Sequence, residues 1–177
     1  MDIASQAEAL KSAIRDVPDF PKPGIVFKDI TTLLRDEALF RRALDLLTVL
    51  CGDLGAQKVV AIESRGFILG GALALRLGAG FVPVRKPGKL PWKAFRASYE
   101  LEYGTDALEI HEDALSPGER ALIVDDVIAT GGTARAVADL VAACGAQTAG
   151  FAFLVELGFL NGRAKLAGHD VRSLIHY

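Results

Sequence analysis

The chain has 177 residues, of which 51% are hydrophobic and 24% charged, and this length and composition are typical of one globular domain. A net charge of −2 argues against broad electrostatic capture of nucleic acid or of an anionic membrane. The N-terminal residues are not those of a signal peptide, and no apolar run approaches the ~20 residues that span a bilayer. We therefore expect a cytoplasmic protein with no nucleic-acid and no membrane partner.

The N-terminal segment is predicted to form two helices separated by a turn. Apolar residues at helical spacing between 3 and 17 indicate an amphipathic helix that Pro18 ends. The FPKPG sequence at 20–24 predicts a rigid turn, and a short apolar segment, IVF, follows it. Asp36 is expected to cap a helix that runs to about Asp53.

The rest of the chain alternates short apolar strands with helices. Strands are predicted at 58–62, 81–84, 121–126 and 148–155. Helices are predicted at 66–77, ending at Gly78, and behind the third strand, ending at Gly145. This order predicts an α/β fold with a mostly parallel twisted sheet flanked by helices. Cys51 and Cys144 lie in Ala- and Leu-rich stretches and are expected to be buried free thiols.

Residues 98–111 interrupt this alternation with a period-2 pattern around YGTD at 103–106, which predicts an inserted β-hairpin. A hairpin inserted into an α/β core is a candidate lid, with a flexible part at about 88–111. No linker or repeat marks a second domain, so we expect a single domain over 1–177.

The strongest motif is ALIVDDVIATGGTARAV at 121–137. An apolar strand delivers Asp125 and Asp126 to the edge of the sheet, and a turn of small residues then leads directly into a helix. The main-chain N–H groups of such a turn, together with the helix N-terminus, suit one phosphate group. The turn comprises Ala129, Thr130, Gly131, Gly132 and Thr133. The two carboxylates suit a ribose diol and a positive charge developing on the sugar ring. The alternative is an acidic turn that only caps a helix.

The sequence VDDVIATGGT resembles the phosphoribosyl pyrophosphate (PRPP) signature of the phosphoribosyltransferases. Three further segments are similar to the adenine phosphoribosyltransferases in particular: FPKPGIVFKDIT at 20–31, ESRGF at 63–67, and RKPGKLPW with ASYELEYGTDALEIH between 85 and 111. The resemblance implies the type I phosphoribosyltransferase fold with a base-binding hood at about 1–35. It also implies transfer of the phosphoribosyl group of PRPP to N9 of adenine, giving AMP and pyrophosphate.

Two segments are expected to face the pyrophosphate. Ser64, Arg65 and Gly66 form a turn that opens a helix, and Arg suits bidentate oxygen recognition. The resemblance implies that this turn holds the pyrophosphate, and that Arg85, Lys86 and Lys89 approach it, with basic residues here reaching the partner's site in a homodimer. Alternatively, the first is a solvated helix cap and the second a solvated loop.

The adenine contacts follow from the resemblance. Val26 is expected to present main-chain groups to the amino edge of the base, with Phe27 and Leu157 as apolar neighbours and Lys28 where relatives often carry Arg. A carbonyl that accepts from the 6-amino group would reject 6-oxo purines. The alternative for 25–27 is a short core strand.

Glu102 and Tyr103 lie at the predicted lid. The resemblance supports Glu102 as the acid or base that exchanges a proton with adenine, although a solvent-facing strand glutamate would have the same pattern. Magnesium is expected to be held mainly by PRPP and water, without protein ligands. Two alternatives stay open: a phosphoribosyltransferase for another purine such as xanthine, and a non-catalytic PRPP-sensing regulator.

Overall fold

The structure is a computed structural model that describes residues 3–100 and 105–177. The chain forms two compact units, Met1–Leu46 and Leu47–Tyr177. The single domain over 1–177 and the hood at about 1–35 stay predictions.

The first unit consists of short helices around a two-stranded hairpin. Its elements are α1 (Ile3–Lys11), β1 (Arg15–Pro18), β2 (Val26–Asp29), α2 (Thr31–Leu34) and the start of α3 (Glu37–Cys51). β1 and β2 pair antiparallel across the predicted turn, in which the Asp19 carboxylate accepts from the Gly24 N–H at 2.7 Å. The cap of α3 is confirmed, because Asp36 accepts from the Leu39 N–H at 3.0 Å.

The prediction that the first helix extends to Pro18 is wrong. α1 ends at Lys11, where the Ser12 hydroxyl donates to the Ala9 carbonyl and tightens the last turn. Residues 15–18 instead pair with β2, which satisfies their main-chain groups in a ladder. Ile14 is buried as the apolar pattern indicates, although it lies outside the helix.

The second unit contains a parallel sheet of five strands in the order β4-β3-β7-β8-β9. Its elements are β3 (Lys58–Ile62), α4 (Arg65–Leu77), β4 (Gly80–Val84), β5 (Ala94–Glu100), β6 (Thr105–His111), β7 (Arg120–Ile128), α5 (Gly132–Ala143), β8 (Gln147–Glu156) and β9 (Val171–His176). The predicted α/β fold is confirmed. β9 is a strand that the sequence pattern did not reveal.

Helices cover both faces of this sheet. A Cβ added at Gly70 of α4 would meet Val59 and Ala61, so these alternate residues of β3 face α4. Val60 and Ile62 face the other way and belong to the core cluster that contains the apolar side of α5. As predicted, Gly78 and Gly145 follow the two helices with φ of +65° and +76°.

The predicted hairpin is present and begins earlier than expected. β5 and β6 pair antiparallel from Ala94↔His111 to Glu100↔Thr105. Leu108 and Ile110 of β6 are buried in the same core cluster as α5. Part of the segment predicted as a flexible lid, 88–111, therefore belongs to the core, and a lid function stays a prediction for the remainder.

Both cysteines are buried free thiols, as expected. Burial raises the pKa of Cys51 to about 12 and also raises the pKa of Cys144. Within 3–100 and 105–177, no helix is both long enough and apolar enough to cross a membrane.

Candidate active site

The candidate site is built at the carboxyl ends of β3 and β7, which are neighbours in the sheet. Ligands of open α/β sheets bind beyond this edge. β7 continues two residues beyond the predicted end at Asp126, as far as Ile128, which pairs with Glu156 of β8. The two acids therefore lie inside a paired strand, close to its carboxyl end, and the strand pairing fixes their main chain.

The two carboxylates differ in their surroundings. Asp126 is 4% exposed, and its Oδ2 lies 2.5 Å from Nε of Arg65. Asp125 accepts from the Asp126 N–H at 2.9 Å. Burial, reinforced by the neighbouring Asp126 charge, raises the pKa of Asp125 well above its ordinary value. Asp126 is therefore held by a guanidinium, whereas the charged form of Asp125 would be stabilised by a ligand that donates hydrogen bonds to it.

Gly66 brings the start of α4 against this acidic pair. A Cβ at Gly66 would lie 2.8 Å from Oδ1 of Asp125 and 3.1 Å from the Val124 carbonyl oxygen. These distances are too short for a methyl group. The predicted pyrophosphate turn and the predicted sugar-binding strand are therefore in direct contact only because residue 66 has no side chain.

The turn after β7 forms a small cavity. Gly131 has φ of +78° and precedes α5, and no side chain within the described ranges caps this helix. The first N–H groups of a helix have no partner within it, so they can bind an anion. A cavity of about 80 Å³ is lined by residues that include Asp125, Ala129, Thr130, Gly131, Thr133 and Phe153. The structure thus brings four of the five predicted phosphate ligands to one cavity, together with one of the acids; the fifth, Gly132, is the first residue of α5.

The predicted pyrophosphate residues lie around the same sheet edge. Ser64 and Arg65 are exposed, and Gly66 is buried. Arg85 donates from Nε to Glu63 at 2.9 Å and from Nη1 to the Lys89 carbonyl at 3.1 Å. Lys86 is paired with Asp106 of β6 at 3.3 Å, and the Lys89 side chain is exposed. Whether Arg85, Lys86 and Lys89 face their own site or a partner's stays a prediction.

The predicted adenine contacts are divided between the two units. Val26 is exposed on β2, with Phe27 and Lys28 half-buried beside it. Lys28 Nζ donates to Asp16 at 2.7 Å, so this side chain contacts the adjacent strand of its own hairpin. Leu157 follows β8 and is half-buried, and its N–H donates to the Ile128 carbonyl at 3.0 Å. Their joint contact with a base stays a prediction.

The predicted lid residues Glu102 and Tyr103 lie outside the described residues. Another residue of the hairpin, Tyr99, was missed by the sequence analysis. Its hydroxyl donates to Asp106 Oδ2 at 3.4 Å, and Thr133 of the phosphate turn lies close enough to influence its pKa. Burial raises the pKa of this hydroxyl. The sequence ASYE around Tyr99 predicted a strand of the hairpin but indicated no function for this side chain.

No group of three or more His, Cys, Asp or Glu side chains close enough to hold a metal ion is present among the described residues. Asp125 and Asp126 form a pair, and a pair of carboxylates is typical of a Mg²⁺ site completed by substrate oxygens and water. The residues present therefore fit a magnesium ion that arrives with a phosphorylated substrate.

These elements define the class of the protein. A parallel sheet carrying an acidic pair and a glycine turn that opens a helix is the arrangement of a phosphoribosyltransferase, and the family model for the phosphoribosyl transferase domain matches residues 34–172. Comparison with sequence relatives identifies a more specific family within the phosphoribosyltransferases. The chain is 58% identical to the adenine phosphoribosyltransferase of a Synechococcus species over 168 residues, covering 95% of this chain and 98% of the relative.

Solved structures agree with this comparison. The adenine phosphoribosyltransferase of Thermoanaerobacter pseudethanolicus has a TM-score of 0.95 at 51% identity, covering 97% of this chain and 99% of that chain. The Saccharomyces cerevisiae enzyme, solved with an iminoalditol bisphosphate and adenine, has a TM-score of 0.91 at 44% identity, with the same coverage. The chain belongs to the adenine phosphoribosyltransferases.

Proposed function

We propose that this chain transfers the 5-phosphoribosyl group of PRPP to N9 of adenine, releasing pyrophosphate and forming AMP. The observation that carries the proposal is the acidic pair next to a helix N-terminus that no described side chain caps, in a chain that is 58% identical over 168 residues to an adenine phosphoribosyltransferase. The yeast relative that was solved with adenine and a sugar-like bisphosphate supports the same substrate classes.

The 5-phosphate is proposed to bind the turn at 129–133. Main-chain N–H groups at the start of α5 and the hydroxyls of Thr130 and Thr133 donate to its oxygens. The ribose diol then donates to Asp125 and Asp126. Such donors favour the charged form of Asp125, which offsets the burial that raises its pKa in the unliganded protein.

The same carboxylates are proposed to stabilise the reacting sugar. As the bond between C1 and the pyrophosphate oxygen lengthens, positive charge develops on the ring, and two fixed carboxylates beneath it lower the energy of that state. Ser64, Arg65 and Gly66 receive the departing pyrophosphate. Adenine N9 then bonds to C1 from the opposite face, which inverts the configuration there.

Magnesium is proposed to accompany PRPP and to be held mainly by PRPP oxygens and water, with Asp125 and Asp126 as the side chains that could contact it. When bound, the ion supplies charge neutralisation for the pyrophosphate. The chain's own contribution to the same task is the guanidinium of Arg65, which is 43% exposed and remains accessible to a ligand while its Nε contacts Asp126.

Adenine is proposed to contact main-chain groups of Val26, with Phe27, Lys28 and Leu157 around it. An acceptor opposite the 6-amino group would leave unpaired polar groups when a 6-oxo purine binds, which discriminates strongly. Glu102 is proposed to exchange a proton with the base during bond formation, while Tyr103 belongs to the lid that excludes water.

The quaternary structure and the compartment are also proposals. A homodimer would allow Arg85, Lys86 or Lys89 to reach a neighbouring site; the ion pair of Lys86 with Asp106 holds this loop next to β6, and Arg85 pairs with Glu63. A cytoplasmic location is supported by two free thiols, since a reducing compartment preserves them.

The function is tested by incubating the chain with PRPP, Mg²⁺ and equal amounts of adenine, hypoxanthine, guanine and xanthine. AMP should be the dominant nucleotide, formed in excess by orders of magnitude. Dominant formation of the xanthine nucleotide would identify the alternative enzyme. Absence of any nucleotide, with specific binding to a nucleic acid, would identify the regulator instead.

A pair of variants ties the activity to the site. Asp126→Asn should lower kcat by about 10²–10³-fold, because it removes charge from beneath the reacting sugar. Asp139→Asn is the matched control, since Asp139 is an exposed acid of α5 that pairs with Arg135 at 3.0 Å. Equal activity of the two variants would exclude the sugar-stabilising role.

A further inference from the structure

The main chain at Gly162 lies directly behind the phosphate turn. A Cβ at Gly131 would collide with the Gly162 carbonyl oxygen, and a Cβ at Gly162 would collide with the Ala129 carbonyl oxygen and come within 2.9 Å of Ile128. Two glycines therefore allow two main chains to touch. The conformation of the turn at 129–131 depends on the position of residue 162.

The residue next to Gly162, Arg163, has a guanidinium with partners on β8 and β9. Arg163 donates from Nε and Nη2 to the two carboxylate oxygens of Glu156, each at 2.7 Å. Its Nη1 donates to the Val171 carbonyl at 2.6 Å, and Nη2 also donates to the Ser173 hydroxyl at 2.9 Å. A guanidinium held at two carboxylate oxygens has a fixed direction, so these bonds anchor residue 163, the neighbour of Gly162, to β8 and β9.

The partners of Arg163 lie on β8, which pairs with the strand that precedes the phosphate turn, and on β9, the next strand of the sheet. Glu156 ends β8 and is 8% exposed, while Ser173 of β9 is 9% exposed and donates its hydroxyl to Glu156. Burial alone would raise the pKa of Glu156, but hydrogen bonds from Arg163 and Ser173 outweigh it and lower that pKa. His176 Nδ1 lies 3.5 Å from the same carboxylate. The ion pair between Glu156 and Arg163 is therefore charged on both sides and held in one orientation.

We propose that Glu156, Arg163 and Ser173, here called the Arg163 network, position the phosphate turn through Gly162 and so set the affinity for the 5-phosphate. These are positioning residues, since the contact with the ligand is made by 129–133. This inference rests on the proposed function. Residues of the Arg163 network, which lie outside the signature sequence, would thus determine how tightly phosphate-bearing ligands bind.

A purely structural role for the network is the competing explanation, and a second arginine of the same unit provides the control. Arg172 of β9 bonds with Asp53, Asp170 and the Leu50 carbonyl, including a 2.7 Å bond to Asp170 Oδ2. It pairs with two carboxylates, whereas Arg163 pairs with one. Unlike Arg163, neither Arg172 nor any of these partners adjoins Gly162 in the sequence.

The experiment compares Arg163→Met with Arg172→Met by calorimetric titration with ribose 5-phosphate, which carries the phosphate and the diol but neither pyrophosphate nor base. Arg163→Met should weaken binding about tenfold to a hundredfold, the loss expected when one charge-assisted hydrogen bond to the phosphate is misaligned. Arg172→Met should bind within about twofold of the wild type. Steady-state kinetics should show a raised KM for PRPP in Arg163→Met with kcat changed less.

A second variant covers the case in which Arg163→Met does not fold. Ser173→Ala removes one hydroxyl from the network and should weaken ribose 5-phosphate binding in the same direction by a smaller factor, while Arg163→Lys, which keeps the charge, should lie between Met and the wild type. Unchanged binding in every folded network variant, or an equal loss in Arg172→Met, would overturn the positioning role alone. A wild-type chain that binds no ribose 5-phosphate would overturn it together with the proposed function.

Discussion

Replacing Gly66 by alanine tests whether the contact between the pyrophosphate turn and Asp125 matters for catalysis. The added Cβ would lie 2.8 Å from Asp125 Oδ1, where ordinary contacts begin near 3.4 Å, so the carboxylate must move by about 0.6 Å. The Val124 carbonyl, a main-chain group of the central strand, lies at 3.1 Å and cannot yield as a side chain does.

Two opposing terms set the expected stability. Alanine in place of glycine within a helix stabilises by about 1 kcal/mol, whereas crowding a packed site costs about 1–3 kcal/mol. Gly66→Ala should therefore be destabilised by up to about 2 kcal/mol. A displacement approaching 1 Å at a reacting centre costs about 10²-fold in rate, so kcat/KM should fall by about tenfold to 10²-fold.

Gly71→Ala in the same helix is the matched control, because a Cβ there meets nothing within 4 Å. It should raise the melting temperature by about 2–4 °C for about 1 kcal/mol and leave turnover unchanged. Both variants are measured by thermal unfolding and by AMP formation from PRPP and adenine. A Gly66→Ala enzyme with wild-type kcat/KM would refute the idea that this contact holds Asp125 in place.

Three further predictions concern the same site. Asp125→Asn should abolish turnover yet raise the melting temperature. Because the pKa of Asp125 is raised in the folded state, the unfolded wild type loses above about pH 4 a proton that the folded wild type keeps, so the stability advantage of the variant should grow as the pH rises. A difference in melting temperature that does not depend on pH, measured by thermal scans, would contradict this. Arg65→Met should lose about 1–3 kcal/mol in urea unfolding by leaving the buried Asp126 without its partner, and adding Asp126→Asn should recover part of the loss. Tyr99→Phe should raise the KM for PRPP by up to about tenfold, since a net hydrogen bond contributes about 0.5–1.5 kcal/mol, while the KM for adenine stays at the wild-type value in initial-rate assays.

The parts of the fold that sequence patterns could predict are those with strong local signals. β3 and β7 each have an uninterrupted apolar run directly after a basic first residue, which is typical of parallel strands buried on both faces. Asp36 and Gly78 mark helix ends through capping and left-handed conformation, and both positions are confirmed. The phosphate turn could be predicted for a similar reason, because its run of small residues lies between an apolar strand and a helix.

The remaining parts depend on contacts between distant residues. β9 carries Arg172, Ser173 and His176, whose polar side chains hide the strand pattern and are accommodated by charged partners elsewhere in the chain. Glu156 was a usable signal, since an acid at the end of an otherwise apolar strand requires a buried partner. Only the structure shows that this partner is Arg163 and that the glycine next to it lies behind the phosphate turn.

The two buried thiols make this chain a convenient host for site-specific labelling. A maleimide reacts with a thiolate, and Cys51 and Cys144 combine very low accessibility with pKa values shifted upwards. A single cysteine introduced at an exposed position of the hairpin, such as residue 96, could therefore carry a fluorophore in the otherwise native sequence. Hairpin motion during turnover could then be followed without first removing the natural cysteines.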